Sequence, residues 1–203
     1  MSFAPSEPTV VSFGEDVLER MVLAVENVRQ RLRRAAAALE SAQIPYAVIG
    51  GNAVAAWVSK VDPAAARNTV DVDLMVNRSD FLAVQQALSN AGFHYVELLG
   101  VPTFLDGPEG RPREAVHILF AGEKVKPQYV ESAPDLTITD RHEAFRVIGL
   151  EQLVRMKLTS FRRKDQVHLQ DMIELGLIDR SWLDRLPTEL AAHLLELIDS
   201  PDG

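Results

Sequence analysis

The sequence predicts a mixed α/β chain of the α+β kind: a small mixed sheet with a long N-terminal helix before it and a helical subdomain after it. Three observations carry this. Apolar residues Leu18, Met21, Val22, Val25, Leu32, Ala36 and Leu39 recur on one helical face. Several short apolar runs, at 46–51, 69–76 and 115–121, have the length and β-branched content of strands. From Leu150 onward the apolar spacing is helical again. With 203 residues, 47% of them hydrophobic, the chain can bury a sizeable core. The predicted organisation is a loose arm over 1–14, an α/β core over 15–140 and a helical subdomain over 141–203.

The arm holds two prolines and no periodicity in its first dozen residues. Ser12-Phe13-Gly14-Glu15 has capping-box spacing and opens the long helix. The arginines on that helix read as a solvated face, and the helix should end near Gln43, before Pro45. Tyr46-Ala47-Val48-Ile49 is a short buried strand that runs into Gly50-Gly51. Asn52 to Val58 reads as a helix and 61–68 as a loop. Next comes the strand 69–76, TVDVDLMV. Ser79-Asp80 caps a helix over 81–91, and 93–99 is a strand. The stretch 101–113, with three prolines and two glycines, reads as a turn-rich connection. A strand follows at 115–121, then a segment with little pattern and an edge strand near 136–139. Helices are expected at 150–161, up to Gly176 over 167–175, and as a final pair over 181–186 and 189–198.

Composition narrows the function. With no cysteine, disulfides and thiolate zinc sites are excluded. His94, His142 and His168 are scattered, with no zinc-like spacing, and read as structural. The formal net charge of −8 disfavours a protein that depends on neutralising nucleic-acid phosphates. The N-terminus lacks the pattern of a signal peptide, and no apolar run is long enough to span a bilayer. The expectation is a soluble, cytoplasmic protein with no membrane partner, and a homodimer is possible through the long first helix.

The 69–76 strand poses the chemical question. Read with period two, Val70, Val72, Leu74 and Val76 face one way, and Thr69, Asp71, Asp73 and Met75 the other. Two carboxylates then stand roughly 7 Å apart on one face, and like charges that close call for a cation. Mg²⁺ takes carboxylates together with substrate phosphates. A solvated acidic face is the bland alternative for D-x-D alone. The Gly50-Gly51 turn between strand and helix adds backbone N–H groups that can cradle phosphate.

Strand, Gly-Gly, helix, loop and D-x-D strand, in that order, resemble the nucleotidyltransferase superfamily of the polymerase-beta type. More narrowly, they resemble its abortive-infection and toxin-like minimal members. The resemblance rests on Ile49-Gly50-Gly51-Asn52-Ala53 and on Arg67-Asn68-Thr69-Val70-Asp71-Val72-Asp73-Leu74, an R-x-T-x-D-h-D-h pattern in which h is hydrophobic. Lys157-Leu158 and the run from Arg163 to Asp171 resemble the helical segment of that group. The similarity spans 44–175.

The resemblance implies a metal-dependent transfer of a nucleoside monophosphate from a nucleoside triphosphate to an acceptor hydroxyl on a small molecule, a protein or an RNA end. Asp71 and Asp73 would hold Mg²⁺ (or Mn²⁺). Gly50 and Gly51, with Asn52, would lie under the phosphates, while Arg67, Thr69, Lys157 and Asp165 are further nucleotide-site candidates. For Asp165, as for Asp171, pairing with Arg162, Arg163 or Lys164 is the structural alternative. The chain departs from the pattern at His117, where the family carries a third carboxylate. His117 is then a general base, a ligand for a softer divalent metal, or the mark of a site that binds nucleotide without transfer. Glu114 should face away. A haloacid-dehalogenase-like phosphatase fits poorly, since Met75 stands where a small hydroxyl or valine belongs, and a D-x-D nucleotide-sugar transferase leaves Gly-Gly unexplained. The rival from another class is a catalytically impaired, toxin–antitoxin-like binding partner.

Overall fold

The computed structural model describes residues 15–200. The expected arm and its Ser12 capping box lie outside them. Seven strands form one sheet in the order β3-β4-β5-β2-β1-β7-β6. In chain order the elements are α1 (Glu15–Ser41), β1 (Tyr46–Ile49), α2 (Gly50–Ser59), β2 (Val72–Val76), α3 (Phe81–Asn90), β3 (Phe93–Leu98), β4 (Val101–Asp106), β5 (Val116–Phe120), β6 (Thr139–His142), β7 (Phe145–Ile148), α4 (Leu150–Ser160), α5 (Arg163–Glu174) and α6 (Thr188–Asp199). The sheet is mixed: β2 runs parallel to β5 and antiparallel to β1, and β1 runs parallel to β7.

The core follows from side-chain period. Val48, Leu74 and Ile118 lie in one row across β1, β2 and β5, each almost fully buried. Helix α1 packs on β2, β5 and β7 and against α3. It contributes Leu32, Ala35, Ala36 and Leu39 at helical spacing, all buried. Phe81 meets Tyr95 and Phe120 edge-on where α3 covers β3 and β5.

Several expectations are corrected. β2 starts at Val72, so Thr69, Val70 and Asp71 form the approach to the strand, and Val70 is exposed. The connection read over 101–113 contains β4. Its pairing with β5 is confined to Thr103 and Phe104, just beyond Pro102, whose missing N–H cannot serve a ladder. The edge strand lies at Thr139–His142 rather than 136–139, and it pairs with β7, which has no counterpart in the sequence reading. The sheet therefore runs to Ile148, past the expected boundary at 140. Helix α1 does end close to Gln43, at Ser41, and Gln43 takes a left-handed φ of 55° in the turn that follows. Asp80 sits at the start of α3 but makes no side-chain cap; its carboxylate accepts from Asn77 instead.

Nor is the basic face of α1 simply solvated. Arg31 is buried and donates to Asp106 and to the Val70 carbonyl, and Arg34 also pairs with Asp106. These bonds tie α1 to the end of β4 and to the approach to β2.

Helices α4, α5 and α6 pack on one another. Phe161, in a left-handed conformation at the end of α4, stacks on His193 of α6 at 3.9 Å. On α5, burial and then the nearby Lys157 charge push the His168 imidazole down to about 4. The sign follows from linkage. Between about pH 6.5 and 4 the unfolded chain protonates this group and the folded chain does not. Stability should therefore fall on acidification across that window, by at most about 3 kcal/mol. His117, whose pKa is raised, acts only above 6.5, and carboxylates with lowered pKa act below about 4.5. Urea unfolding of wild type at pH 7 and pH 4.5 should show the loss, and His168→Gln should remove most of it.

Candidate functional site

The site begins with a backbone constraint. β1 ends at Ile49, and the chain enters α2 through Gly50 at φ +66°. That conformation favours glycine, and a Cβ at this position would overlap the Asp73 carboxylate. At Gly51 a Cβ would lie 3.0 Å from the Thr69 Cβ and Oγ1. The two glycines thus allow the start of α2 to close on the approach to β2. No side chain caps α2, so its first N–H groups are available to an anion.

Strand register supplies the chemistry. Ile49, Asp73, His117 and Thr103 stand opposite one another across β1, β2, β5 and β4. Asp71 lies two residues before Asp73. Ligand atoms of Asp71, Asp73 and His117 all fall within 4.8 Å of one another, each half-buried. His117 Nδ1 is 3.5 Å from Asp73 Oδ1. The Asp73 carboxylate raises the His117 pKa, with help from Asp71 and the Pro112 carbonyl, against the opposing effect of burial. Asp71 is itself held. Its carboxylate accepts from Thr69 Oγ1 at 2.6 Å, and its carbonyl accepts from Asn52 Nδ2 at 2.8 Å.

This donor set fits a divalent cation. Such ions bind oxygen at roughly 2.0–2.6 Å, so atoms on opposite sides of one ion lie about 4–5 Å apart. Two hard carboxylates and one imidazole suit Mn²⁺ at least as well as Mg²⁺.

The cluster opens into a cavity of about 510 Å³ between the sheet and the helical segment. Gly50, Asp71, Asp73 and His117 line one part of it, Lys157, Ser160, Arg162 and Asp165 another. Leu119, Leu153, Met156 and Tyr129 add an apolar wall. Asp165 ties the α4–α5 turn together. It accepts from Lys157 Nζ at 3.0 Å, Ser160 Oγ at 2.7 Å, Arg162 Nε at 2.7 Å and the Arg162 backbone N–H at 3.3 Å. Burial opposes its ionisation, but Arg162, Lys157 and Ser160 outweigh that and hold the carboxyl well below the usual range. Burial lowers the Lys157 pKa, and Asp165 offsets part of that. Both Lys157 and Arg162 also sense the Asp73 charge.

Of the residues singled out from the sequence, Gly50, Asp71, Asp73, His117, Lys157 and Asp165 meet at this cavity. Gly51, Asn52 and Thr69 stand one layer behind it, Thr69 and Asn52 holding Asp71. Arg67 lies elsewhere, with its guanidinium in a two-bond pair with Asp171 at 2.6 and 2.9 Å. Asp171 therefore pairs with Arg67 and not with the basic run before it. Asp165 does pair with Arg162. Glu114 is exposed in a single helical turn before β5. Arg162, Ser160 and Tyr129 were missed as site residues. Arg162 had a signal, since it sits three residues before Asp165; nothing in the sequence marks Tyr129.

Two predictions test this construction. Gly50→Ala should destabilise the fold by about 3 kcal/mol, from left-handed strain and overlap with Asp73; Gly51→Ala should cost less, about 1 kcal/mol. For the buried pair, Asp165→Asn leaves Lys157 without its counter-charge and should cost about 3–5 kcal/mol. Lys157→Met should cost less, because Arg162 and Ser160 still hold Asp165. Chemical denaturation of the four variants gives the order.

No protein-family profile matches this chain, and no curated protein sequence matches it. Solved structures do. An antigenic nucleotidyltransferase-like protein from Paracoccidioides brasiliensis is 24% identical, with a TM-score of 0.57 over 88% of this chain and 91% of that one. JHP933 from Helicobacter pylori is 14% identical, with a TM-score of 0.49 over 94% of this chain and 78% of that one. ANT(2″)-Ia, in complex with adenylyl-2″-tobramycin, is 14% identical, with a TM-score of 0.41 over 90% of each chain. The similarity to the first of these shows that this chain shares the fold of that nucleotidyltransferase-like protein, mixed seven-stranded sheet included.

Proposed function

We propose that this chain is a metal-dependent nucleotidyltransferase that moves a nucleoside monophosphate from a nucleoside triphosphate to an acceptor hydroxyl. The observation that carries this reading is the Asp71, Asp73 and His117 cluster, set beside an uncapped helix start at Gly50. In the reaction an acceptor oxygen forms a bond to the α-phosphorus. The α–β phosphoanhydride bond breaks, and pyrophosphate leaves with the electron pair.

Asp71, Asp73 and His117 would hold the metal, which supplies positive charge to the phosphate oxygens. The backbone N–H groups at the start of α2 receive phosphate oxygens. Thr69 and Asn52 fix the Asp71 carboxylate in its orientation. Lys157 and Arg162 bring positive charge to the cavity, balanced in the free protein by Asp165. His117 favours the ligand role over that of a free base. Its Nδ1 lies 3.5 Å from Asp73 Oδ1, and its ring nitrogen falls within 4.8 Å of both carboxylates, the spacing of ligands on one ion. No residue at the site stands out as the acceptor's base.

The second reading, a nucleotide-binding protein without transfer, is favoured by His117 in the third ligand position. Its toxin–antitoxin-like form would use the same cleft or the helical cap as a protein-binding surface. Pyrophosphate release separates transfer from binding. Among the described residues no helix is long and apolar enough to cross a membrane.

The decisive experiment is calorimetric titration of each of the four nucleoside triphosphates with Mg²⁺ or Mn²⁺. The expected result is metal-dependent binding, tighter with Mn²⁺, that Asp71→Asn/Asp73→Asn abolishes. His117→Asp should shift the preference toward Mg²⁺. Binding without pyrophosphate release in the presence of candidate acceptors would favour the second reading, and no binding with either metal would reject both nucleotide readings.

A further inference from the structure

The tip of the β3–β4 hairpin carries the wrong residue for its turn. Leu98 pairs with Val101, so Leu99 and Gly100 alone form the loop. Both have positive φ, 52° and 77°, the geometry of a type I′ turn, in which asparagine, aspartate or glycine is favoured at the first position. Leucine is strained there, and no packing offsets the strain, because the Leu99 side chain is fully exposed. Strain of this kind is found at ligand-binding sites. Val101 and Val125 are also exposed. These three line the Asp71–Asp73 cavity together with Leu98, Leu119 and Tyr129.

Sheet order decides which reactant reaches this strip. Gly50 follows β1; across the sheet come Asp73 on β2, His117 on β5, Thr103 on β4 and then β3. With the outer phosphates at the start of α2, pyrophosphate leaves on the β1 side. Attacking and leaving oxygens lie roughly in line at phosphorus. The acceptor hydroxyl therefore arrives from the His117 side, and its body extends over β4 toward the hairpin. The nucleoside, held by another oxygen of the same phosphorus, departs sideways, toward Leu153 and Met156 of α4. Two strand spacings separate His117 from β3, about 10 Å.

Charge is sparse along this path. Val101 and Leu119 stand two residues from Thr103 and His117 and share their face. The Lys126 ammonium lies 5.6 Å from the centre of the Tyr129 ring, and Glu131 is paired with Arg155. The cavity's other charged residues belong to the metal cluster or to the segment from Lys157 to Asp165. A polyanionic acceptor would meet one lysine here, and a polycationic one no free carboxylate beyond the cluster.

We propose, building on the nucleotide-transfer reading, that the acceptor is a neutral alcohol or phenol whose apolar body lies along Leu119 and Val101 to the Leu98–Leu99 tip. Its oxygen bonds to the α-phosphorus and its proton passes to water. The α–β bond breaks, pyrophosphate leaves with the electron pair, and the product is a phosphodiester of the alcohol.

The probes are 1-octanol and 3-phenylpropanol, compared with glycerol, glucosamine and a short oligoribonucleotide, each with Mn²⁺ and the nucleoside triphosphate that binds best by calorimetry. Pyrophosphate release and product mass should show transfer to the two apolar alcohols about tenfold faster than to the others. Leu98→Ser/Val101→Ser should raise the KM for octanol about tenfold, with the nucleotide Kd unchanged. Leu99→Asn should raise both the octanol KM and the midpoint of urea unfolding, because asparagine accepts the turn; a leucine kept for structure alone would lose stability instead. Four results would overturn the proposal: equal or faster transfer to a polar or charged acceptor; an octanol KM that the serine pair leaves unchanged; loss of nucleotide binding in the serine pair, which would give the strip to the base; or bound nucleotide with no transfer to either apolar alcohol. A wild type that binds no nucleotide with either metal overturns the reading beneath this one as well, and calorimetry shows that before any acceptor is added.

Discussion

The Asp73 carboxylate occupies space that exists only because residue 50 has no side chain. Gly50 must reverse the chain at a positive φ to start α2, and the volume a Cβ would fill is already taken by Asp73. The strand end, the helix start and the acid are therefore one construction. Moving α2 outward to admit a side chain would separate its free N–H groups from the carboxylate. Retreat of Asp73 is blocked by register, since it stands between Ile49 on β1 and His117 on β5. The same closeness explains the surrounding charges. Two carboxylates this near each other repel, and the free protein sets beside them the His117 imidazole, whose pKa they raise, and the fields of Lys157 and Arg162.

The helical segment is joined to this centre by Asp165. A buried ion pair is weak evidence for net stability, because desolvation offsets much of its attraction. Its geometry is the stronger contribution. Five donors from Lys157, Ser160 and Arg162 converge on one carboxylate, which fixes the α4–α5 turn over the cavity and offsets part of the burial that lowers the Lys157 pKa. An arriving triphosphate would compete with Asp165 for them. The opposing arrangement, carboxylates on the sheet and cations above, suits a ligand that carries its own negative charge and a divalent ion.

Local patterns in the sequence located the parts of the site that are made locally. Gly50-Gly51 and Asp71-x-Asp73 are short-range features, and their strand and helix contexts follow from period and composition. The apolar run at 115–121 marked the strand of His117, and the resemblance, which implies a third acid there, singled out the residue. What the sequence left hidden depends on distant pairing. β4 was masked by Pro102 and by the glycines and prolines after Asp106, and its strand character comes from β3 and β5 on either side. β6, Thr139-Asp140-Arg141-His142, has no apolar alternation and exists by pairing with β7. Arg67 belongs to the motif that suggests a phosphate contact, but its partner, Asp171, lies 104 residues away. Asp165 read as a nucleotide-site candidate or as a partner of the basic residues around it, and it is fully buried, since nothing local tells an exposed ion pair from a carboxylate enclosed by a packed turn.

The sheet face beneath the cavity is divided by row, and the division constrains what can lie there. One row runs Ile49–Asp73–His117–Thr103; the next on the same face, two residues along each strand, runs Ala47–Met75–Leu119. The charged row lies beside the start of α2. The apolar row continues to Leu119, which shares the cavity wall with Leu153 and Met156 of α4. The rows are separated by about 7 Å, the advance of two residues along a strand. A purely polar anion such as inorganic polyphosphate would use the first row and leave the apolar wall in contact with water. A nucleotide has the same two-part character, with a charged chain at one end and a flat, weakly hydrated base at the other. The apolar wall therefore gives a physical reason to favour a nucleoside triphosphate over a simple phosphate donor, a preference that the carboxylate cluster alone does not supply.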